Sequence, residues 1–330
     1  MHTVAQIPAT LAQVTAEPDY FRWQWHPEVW VLLAGLVGLY VFALRSLGPR
    51  MQRTGLLPEG TPVATRSQKR WFVVGIVLTW IAADWPMHDI AEEYLYSVHM
   101  LQHMLLTFIV PPVMLLATPE WLARIVIGDG RLGRAFLKLA RPIPAAVVFN
   151  AVQLLTHWSG IVNASVENGP LHYALHTVVV ITALAVWMPV VSPLPELRIS
   201  APAQCIHLFL TSIVPTIPAA WLALADGVLY EAYDKPARLW GVGVTSDQQM
   251  AGLIMKLGGG VFLWTIIVLI FFRWSSRQDH GTKARRAVLD EDGNPIGLED
   301  RVPDEQDELT FDDVNRVFEQ SGPARRETLP

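Results

Sequence analysis

Cysteine is nearly absent from this sequence of 330 residues, which contains only Cys205. A single thiol cannot close an intramolecular disulfide, and it cannot supply the paired thiolates of a cysteine-rich zinc or iron–sulfur site. A metal site in this chain would therefore have to use histidine, methionine or carboxylate ligands.

Charged residues are also nearly absent from several segments of about 20 residues, a length that crosses a bilayer as a helix. The charges crowd between these segments, although the chain is 52% hydrophobic overall. The pattern predicts an all-α, polytopic membrane protein with seven transmembrane helices. The predicted spans are Pro27 to Leu44, Trp71 to Ala83, Tyr94 to Thr118, Ile143 to Trp158, Leu171 to Val191, Ala201 to Ala225, and Asp247 to Arg273.

Lysine and arginine are unevenly divided between the two sets of connecting segments. The connections after spans one, three, five and seven carry most of them, whereas the opposite set has only Arg22, Lys235 and Arg238. Because basic residues are retained in the cytoplasm, this bias predicts an N-terminus outside and a C-terminus in the cytoplasm. An odd number of spans agrees with that orientation.

Three regions follow from the composition: an extracytoplasmic segment (1–26), a membrane domain (27–275) and a polar cytoplasmic tail (276–330). We interpret the first span as an uncleaved anchor, because no charged n-region or compact cleavage site precedes it. The net charge of −5 arises from acidic residues in the tail. The loops between the spans are basic, which suits contact with anionic lipid. The charge pattern does not indicate binding to nucleic acid. The tail is predicted to form a short amphipathic helix near 310–321, which could bind a partner.

The third predicted span, Tyr94 to Thr118, carries polar ligand-type side chains in its first two turns. His99 and His103 are four residues apart, so they share a helical face about 6 Å apart along the axis. Met100 and Met104 form a second pair on the adjacent face. Ionisable side chains within a membrane span are costly, so these imidazoles predict a functional site.

Two spans contain prolines that should interrupt their hydrogen-bonding ladders. Pro111 and Pro112 predict a kink in span three, and Pro215 and Pro218 predict one in span six. In span seven, the small residues at 258–260 predict a close approach of another helix.

The histidine pair of span three is repeated on span five, where His172 and His176 are again four residues apart. The predicted orientation places both pairs at the same level in the outer half of the membrane. It adds His157 at the end of span four, and the acidic connection from Asp84 to Glu93 lies just above. The predicted ligand set at this level is His99, His103, His157, His172 and His176, with Met100, Met104, Met250 and Met255 as soft ligands, and His26, His88, Asp84, Asp89 and Asp247 nearby.

Imidazole and thioether together suit copper, and thioethers favour Cu(I). The same residues are also compatible with purely structural roles, because interfacial histidines often only form hydrogen bonds and methionine in an apolar helix usually packs. A histidine from span three and one from span five could instead be the axial ligands of a haem in a membrane oxidoreductase. Lys256 in span seven is interpreted as snorkelling or pairing with Asp247 or Asp226, and only weakly suggests a retinal-type Schiff base.

Three blocks of the sequence resemble the CtaG family of cytochrome c oxidase assembly factors, which is associated with caa-type oxidases. They are HMLQHMLLTFIVPPVMLLATP from His99, PLHYALH with the following VVITALAVWMPV from Pro170, and DQQMAGLIM from Asp247. The resemblance implies a multi-pass protein of the bacterial plasma membrane that helps to assemble a haem–copper oxidase through its copper centre. It also implies that His99, His103, His172 and His176 are the functional positions.

The sequence thus predicts an assembly factor without catalytic residues or enzymatic activity, which holds copper transiently at an outward-facing His/Met site. Its expected partners are an oxidase subunit and membrane lipid. The alternatives are the haem-binding oxidoreductase and a scaffold without a ligand, whose histidines contact the oxidase directly. Protonation of the histidines is expected to release the metal as the pH falls.

Overall fold

The computed structural model describes residues 22–58, 60–236 and 238–286, with side chains described as far as residue 278. This described part contains helices and connecting loops and no strand, which confirms the all-α class. The helices are α1 (Pro27–Arg53), α2 (Arg66–Ala83), α3 (Met87–Glu93), α4 (Tyr96–Ala117), α5 (Glu120–Ile127), α6 (Arg131–Leu139), α7 (Pro142–Thr156), α8 (Ser159–Glu167), α9 (Gly169–Val191), α10 (Ala201–Ala223) and α11 (residues 244–286). Short 3₁₀ turns occupy Pro195–Leu197, Glu231–Tyr233 and Leu239–Gly241.

Six of the described helical stretches are long and apolar enough to cross a membrane, and α6 with α7 makes a seventh if that pair, bent by 88°, counts as one span. The chain is therefore a multi-pass helical membrane protein. The predicted boundaries differ in two places. The second helix begins at Arg66 because Thr65 and Gln68 form a capping box, and the predicted connection from Asp84 to Glu93 contains the helix α3. The orientation of the termini stays a prediction.

Helices α4 and α9 form the centre of the bundle. Their apolar windows are 56% and 50% buried, against 17% to 33% for the other candidate spans. They share a hydrophobic core in which Phe108 from α4, Phe149 from α7 and Trp187 from α9 pack together. The two helices that carry the histidine pairs are thus the two that the fold surrounds most completely.

The prolines of α4 are accommodated by a π-helical turn at Leu105–Ile109 and by a contact with α9. Pro111 has no N–H to donate to the carbonyl of Thr107, four residues earlier. The indole Nε1 of Trp187 donates to that carbonyl instead, at 3.0 Å. In α10 the helix is interrupted just before Thr216, at Pro215, as the sequence predicts. Both interruptions thus occur where proline removes a backbone donor.

Of the glycines predicted to allow a close approach, Gly259 contacts α4, where its β-carbon position lies 3.4 Å from Met104 and 3.5 Å from Phe108, but a tighter backbone contact involves Gly252. A β-carbon at Gly252 would lie 2.6 Å from the carbonyl oxygen of Ala219 and from the backbone nitrogen of Ala223. Gly260 has nothing within 4 Å of its β-carbon position. Helices α10 and α11 therefore meet backbone to backbone at Gly252, as small residues allow in membranes.

The substitution Gly252→Ala is expected to destabilise the bundle by about 1–3 kcal/mol, because the added methyl group meets backbone atoms that cannot rotate away. The measurement is thermal unfolding of the purified protein in detergent. Gly260→Ala is the matched control, since it adds the same methyl group on the same helix in open space. Equal unfolding temperatures for the two variants would contradict the close packing of α10 against α11.

The chain divides into two compact units between Arg273 and Trp274. The described helices up to Arg273 contain every residue of the candidate site. The predicted helix near 310–321 lies outside the described residues, and the three predicted regions stay a prediction.

Candidate metal centre

The N-terminus of α4 is fixed by a carboxylate from a distant helix. Asp247 on α11 accepts hydrogen bonds from the backbone N–H groups of Tyr96, at 2.7 Å, and Ser97, at 3.0 Å, and from the Ser97 hydroxyl. Asp247 is 3% exposed. A carboxylate at this helix end satisfies free donors and faces the positive end of the helix dipole. This contact sets the position of the turn that carries His99.

Five predicted histidines come together between α4, α7 and α9. The centroids of the His99 and His103 rings are 4.6 Å apart, and those of His172 and His176 are 4.2 Å apart. The two pairs meet through His103 and His176, at 4.7 Å. His157, which caps the end of α7, lies 6.4 Å from His103. The convergence of the two pairs agrees with the sequence prediction that they share one level.

Several ring nitrogens of this cluster are buried and have no hydrogen-bond partner in the protein. They include both nitrogens of His103 and one nitrogen each of His99, His157, His172 and His176. The Nδ1 of His157 donates to the carbonyl of Gln153 at 2.6 Å, so its Nε2 carries the lone pair. Buried polar groups without a partner are rare because each costs about 1–3 kcal/mol. A ligand bound among the rings would satisfy these nitrogens.

A cavity of about 20 Å³ lies among the rings and is lined by all five histidines. That volume is close to what a single water-sized body occupies. A second cavity, of about 220 Å³, shares Met100, His103 and His157 with the first and continues toward α10 and α11. The cluster therefore has room for one ion, with a larger space beside it.

The predicted methionines are divided between this larger cavity and the surface. Met100 and Met255 are buried, Met104 is partly buried, and all three line the larger cavity beside His103. Met250 is 52% exposed and lines neither of the two cavities. The structure thus brings three of the four thioethers to the cluster and leaves Met250 apart.

Glu92, at the end of α3, is a member of the site that the sequence analysis did not single out. Its Oε1 lies 2.5 Å from the Nε2 of His172 without the alignment of a hydrogen bond. The signal in the sequence was the acidic connection predicted to lie over the histidines, but that connection has four carboxylates and the pattern did not select one.

The remaining polar residues of that connection hold the structure together. Asp89 contacts the Nε2 of His26 at 2.9 Å, and Asp84 accepts from the indole of Trp80 at 2.7 Å. The Nδ1 of His88 lies 3.3 Å from the side-chain amide of Gln102, which donates to a backbone carbonyl of α2. These predicted neighbours lie beside the histidine cluster and contact groups outside it, and the Nδ1 of His88 also lies 4.0 Å from the Oε1 of Glu92.

Three tyrosines cover the cluster on the side of the loop between α10 and α11. Tyr96, Tyr230 and Tyr233 are each at most 3% exposed, and the Tyr96 ring stacks on His99 at 5.6 Å. The hydroxyl of Tyr230 donates to the carbonyl of His157 at 2.8 Å. Burial raises the pKa of Tyr230 to about 12 and also raises the pKa of Tyr233. These two phenols are therefore neutral at physiological pH and contribute to an uncharged cover.

Lys256 does not pair with either predicted carboxylate. Its Nζ donates to the hydroxyl of Thr216 at 2.7 Å at the edge of the larger cavity. Asp247 is occupied at the N-terminus of α4 instead. The pairing with Asp247 suggested by the sequence is therefore replaced by a helix cap.

Among the residues that the structure describes, two groups of three have the geometry to hold a metal ion: His99, His103 and His176 in one, and Glu92, His172 and His176 in the other. Their potential ligand atoms lie within 4.8 Å of one another. Ligands on one ion with bonds of roughly 2.0–2.1 Å are separated by up to about 4 Å, so small side-chain rotations would complete either group. The donor chemistry and the unpaired nitrogens fit a metal ion.

Fold and site together define a multi-pass helical membrane protein with a buried cluster of ligand-type histidines. Residues 38–277 match the model of the cytochrome c oxidase caa3 assembly factor family, Caa3_CtaG. The chain belongs to this family, as the three sequence blocks predict. Comparisons with curated proteins and with solved structures find no match.

Proposed function

We propose that this chain assists assembly of a caa3-type cytochrome c oxidase in the bacterial plasma membrane by holding copper at the histidine cluster and presenting it to an oxidase subunit. The single observation that carries the copper proposal is His103, which is 6% exposed and has no protein partner for either ring nitrogen. Family membership supports the role in oxidase assembly. No catalysed reaction is part of the proposal.

Copper is favoured over zinc by the thioethers beside the rings. His103 lines the same cavity as Met100, Met104 and Met255. Imidazole binds both metals, whereas thioether ligands select copper, particularly Cu(I). Neutral imidazoles and thioethers carry no charge, so they hold the ion less firmly than thiolates would. Exchangeable ligands of this kind suit a protein that must pass the metal on.

The geometry favours an ion over the haem of the alternative hypothesis. Two axial imidazoles of a haem lie on opposite faces of a large planar macrocycle. Here the rings of His103 and His176 contact each other directly, with centroids 4.7 Å apart. The space among the five histidines is about 20 Å³, which suits a single ion.

The test is metal and haem analysis of the detergent-purified protein in the wild type and in the His99→Ala/His103→Ala variant. The expected result is copper retained through purification by the wild type and lost from the variant, without a Soret band in either. A Soret band in the wild type would favour the oxidoreductase. If the wild type contains neither metal nor haem, even after copper is supplied, the result would favour the ligand-free scaffold.

A further inference from the structure

We propose that Glu92, His172 and His176 form a second metal position at the exposed margin of the cluster, through which copper passes to and from the deeper group of His99, His103 and His176. This inference rests on the proposed function, because it concerns the path of the same ion. It gives Glu92 the role of a loading ligand.

The two positions differ in their access to solvent. The difference lies in Glu92, whose side chain is 25% exposed. The imidazoles of His172, His99 and His103 are all buried, at 5%, 8% and 6% exposed. An ion that approaches the cluster from solvent at this margin therefore meets the carboxylate before the buried imidazoles.

The location of Glu92 also suits a bound cation. Glu92 lies in the last turn of α3, which ends at Glu93. Backbone carbonyls converge at that end of a helix, so a carboxylate there is unfavourable unless a positive charge lies nearby. The Oε1 of Glu92 is buried and lies 2.5 Å from the Nε2 of His172 and 4.0 Å from the Nδ1 of His88. A cation bound between these ligands would offset the unfavourable position of the carboxylate.

Because His176 belongs to both groups, one ion would occupy the two positions in turn. Two divalent ions a few ångströms apart, with one carboxylate between them, would repel each other strongly. A single ion can instead exchange His172 and Glu92 for His99 and His103 while His176 stays bound. The ring centroids of His172 and His103 lie 4.2 and 4.7 Å from that of His176. No change of oxidation state is required.

The donor sets also suit such a transfer. A carboxylate with two imidazoles is a ligand set for a divalent ion such as Cu²⁺. The deeper group has three imidazoles and no charge, with thioethers next to it. The margin therefore attracts the ion by charge, and the deeper group retains it by its third imidazole and the adjacent thioethers.

The first experiment measures the rate of Cu²⁺ uptake by the purified full chain. Glu92→Gln is expected to slow uptake by about tenfold or more relative to the wild type, because it removes the charged ligand. Glu93→Gln is the matched control. It makes the same change one residue away, where the carboxylate accepts a hydrogen bond from Gln24. Equal uptake rates for the two variants would overturn the inference.

The second experiment isolates the margin position. In the His99→Ala/His103→Ala background, equilibrium dialysis against Cu²⁺ is expected to show residual weak binding. Added Glu92→Gln should remove it and added Glu93→Gln should not. Residual binding unaffected by Glu92→Gln would overturn this inference and leave the proposed function intact. A wild type that binds no copper would instead overturn the proposed function.

Discussion

Cells whose only copy of this chain carries His99→Ala and His176→Ala are expected to assemble caa3 oxidase with at least about tenfold less copper and correspondingly low activity. The two substitutions remove one ligand from α4 and one from α9, and His176 belongs to both candidate groups. Loss of even an outer partner of a metal ligand typically costs roughly 10–100-fold in affinity. The measurements are copper content and activity of oxidase in isolated membranes.

The control for this prediction is a histidine of equal burial outside the cluster. His207 is 5% exposed, and its Nε2 donates to the carbonyl of Val186 at 2.8 Å. His207→Ala should lower the stability of the bundle. The copper content of the oxidase, normalised to the amount of this chain in the membrane, should not change. Normal oxidase copper and activity in the double variant, at normal protein levels, would contradict the copper proposal.

The features that could be predicted from the sequence are those that depend on local periodicity. The four-residue spacing of His99 and His103 fixes a shared face of one helix, and the spacing of His172 and His176 does the same on another. The basic connections and the apolar lengths then indicate the same level for both. Only this much was needed to anticipate that the pairs converge.

The features that could not be predicted depend on contacts between distant parts of the chain. Asp247 caps a helix 151 residues earlier in the sequence, and nothing near either residue indicates that pairing. Met250 has the composition of a ligand but lies on the exposed face of α11. Glu92 differs from Glu93 only in the direction that a short helix gives its side chain. These outcomes follow from how helices rotate about their axes when they pack.

Replacing Asp247 with alanine is expected to destabilise the protein by about 2–4 kcal/mol and to reduce its copper retention. The substitution leaves the N–H groups of Tyr96 and Ser97 without their acceptor in a buried place, and each such loss costs about 1–3 kcal/mol. It also removes a negative charge from the positive end of α4. The measurement is thermal unfolding in detergent, with copper analysis of the same samples.

Two further variants test whether the loss of stability comes from the helix cap formed by Asp247 or from the loss of any carboxylate. Asp226→Ala removes an exposed carboxylate just after α10 and is expected to change little. Asp247→Asn keeps one acceptor oxygen but loses the charge, so its stability should fall between that of the wild type and Asp247→Ala. An Asp247→Ala protein as stable as Asp226→Ala would contradict the cap. If the cap holds, the acidic residue of the DQQMAGLIM block supports the site by setting the first turn of α4, and with it the position of His99, without binding the metal itself.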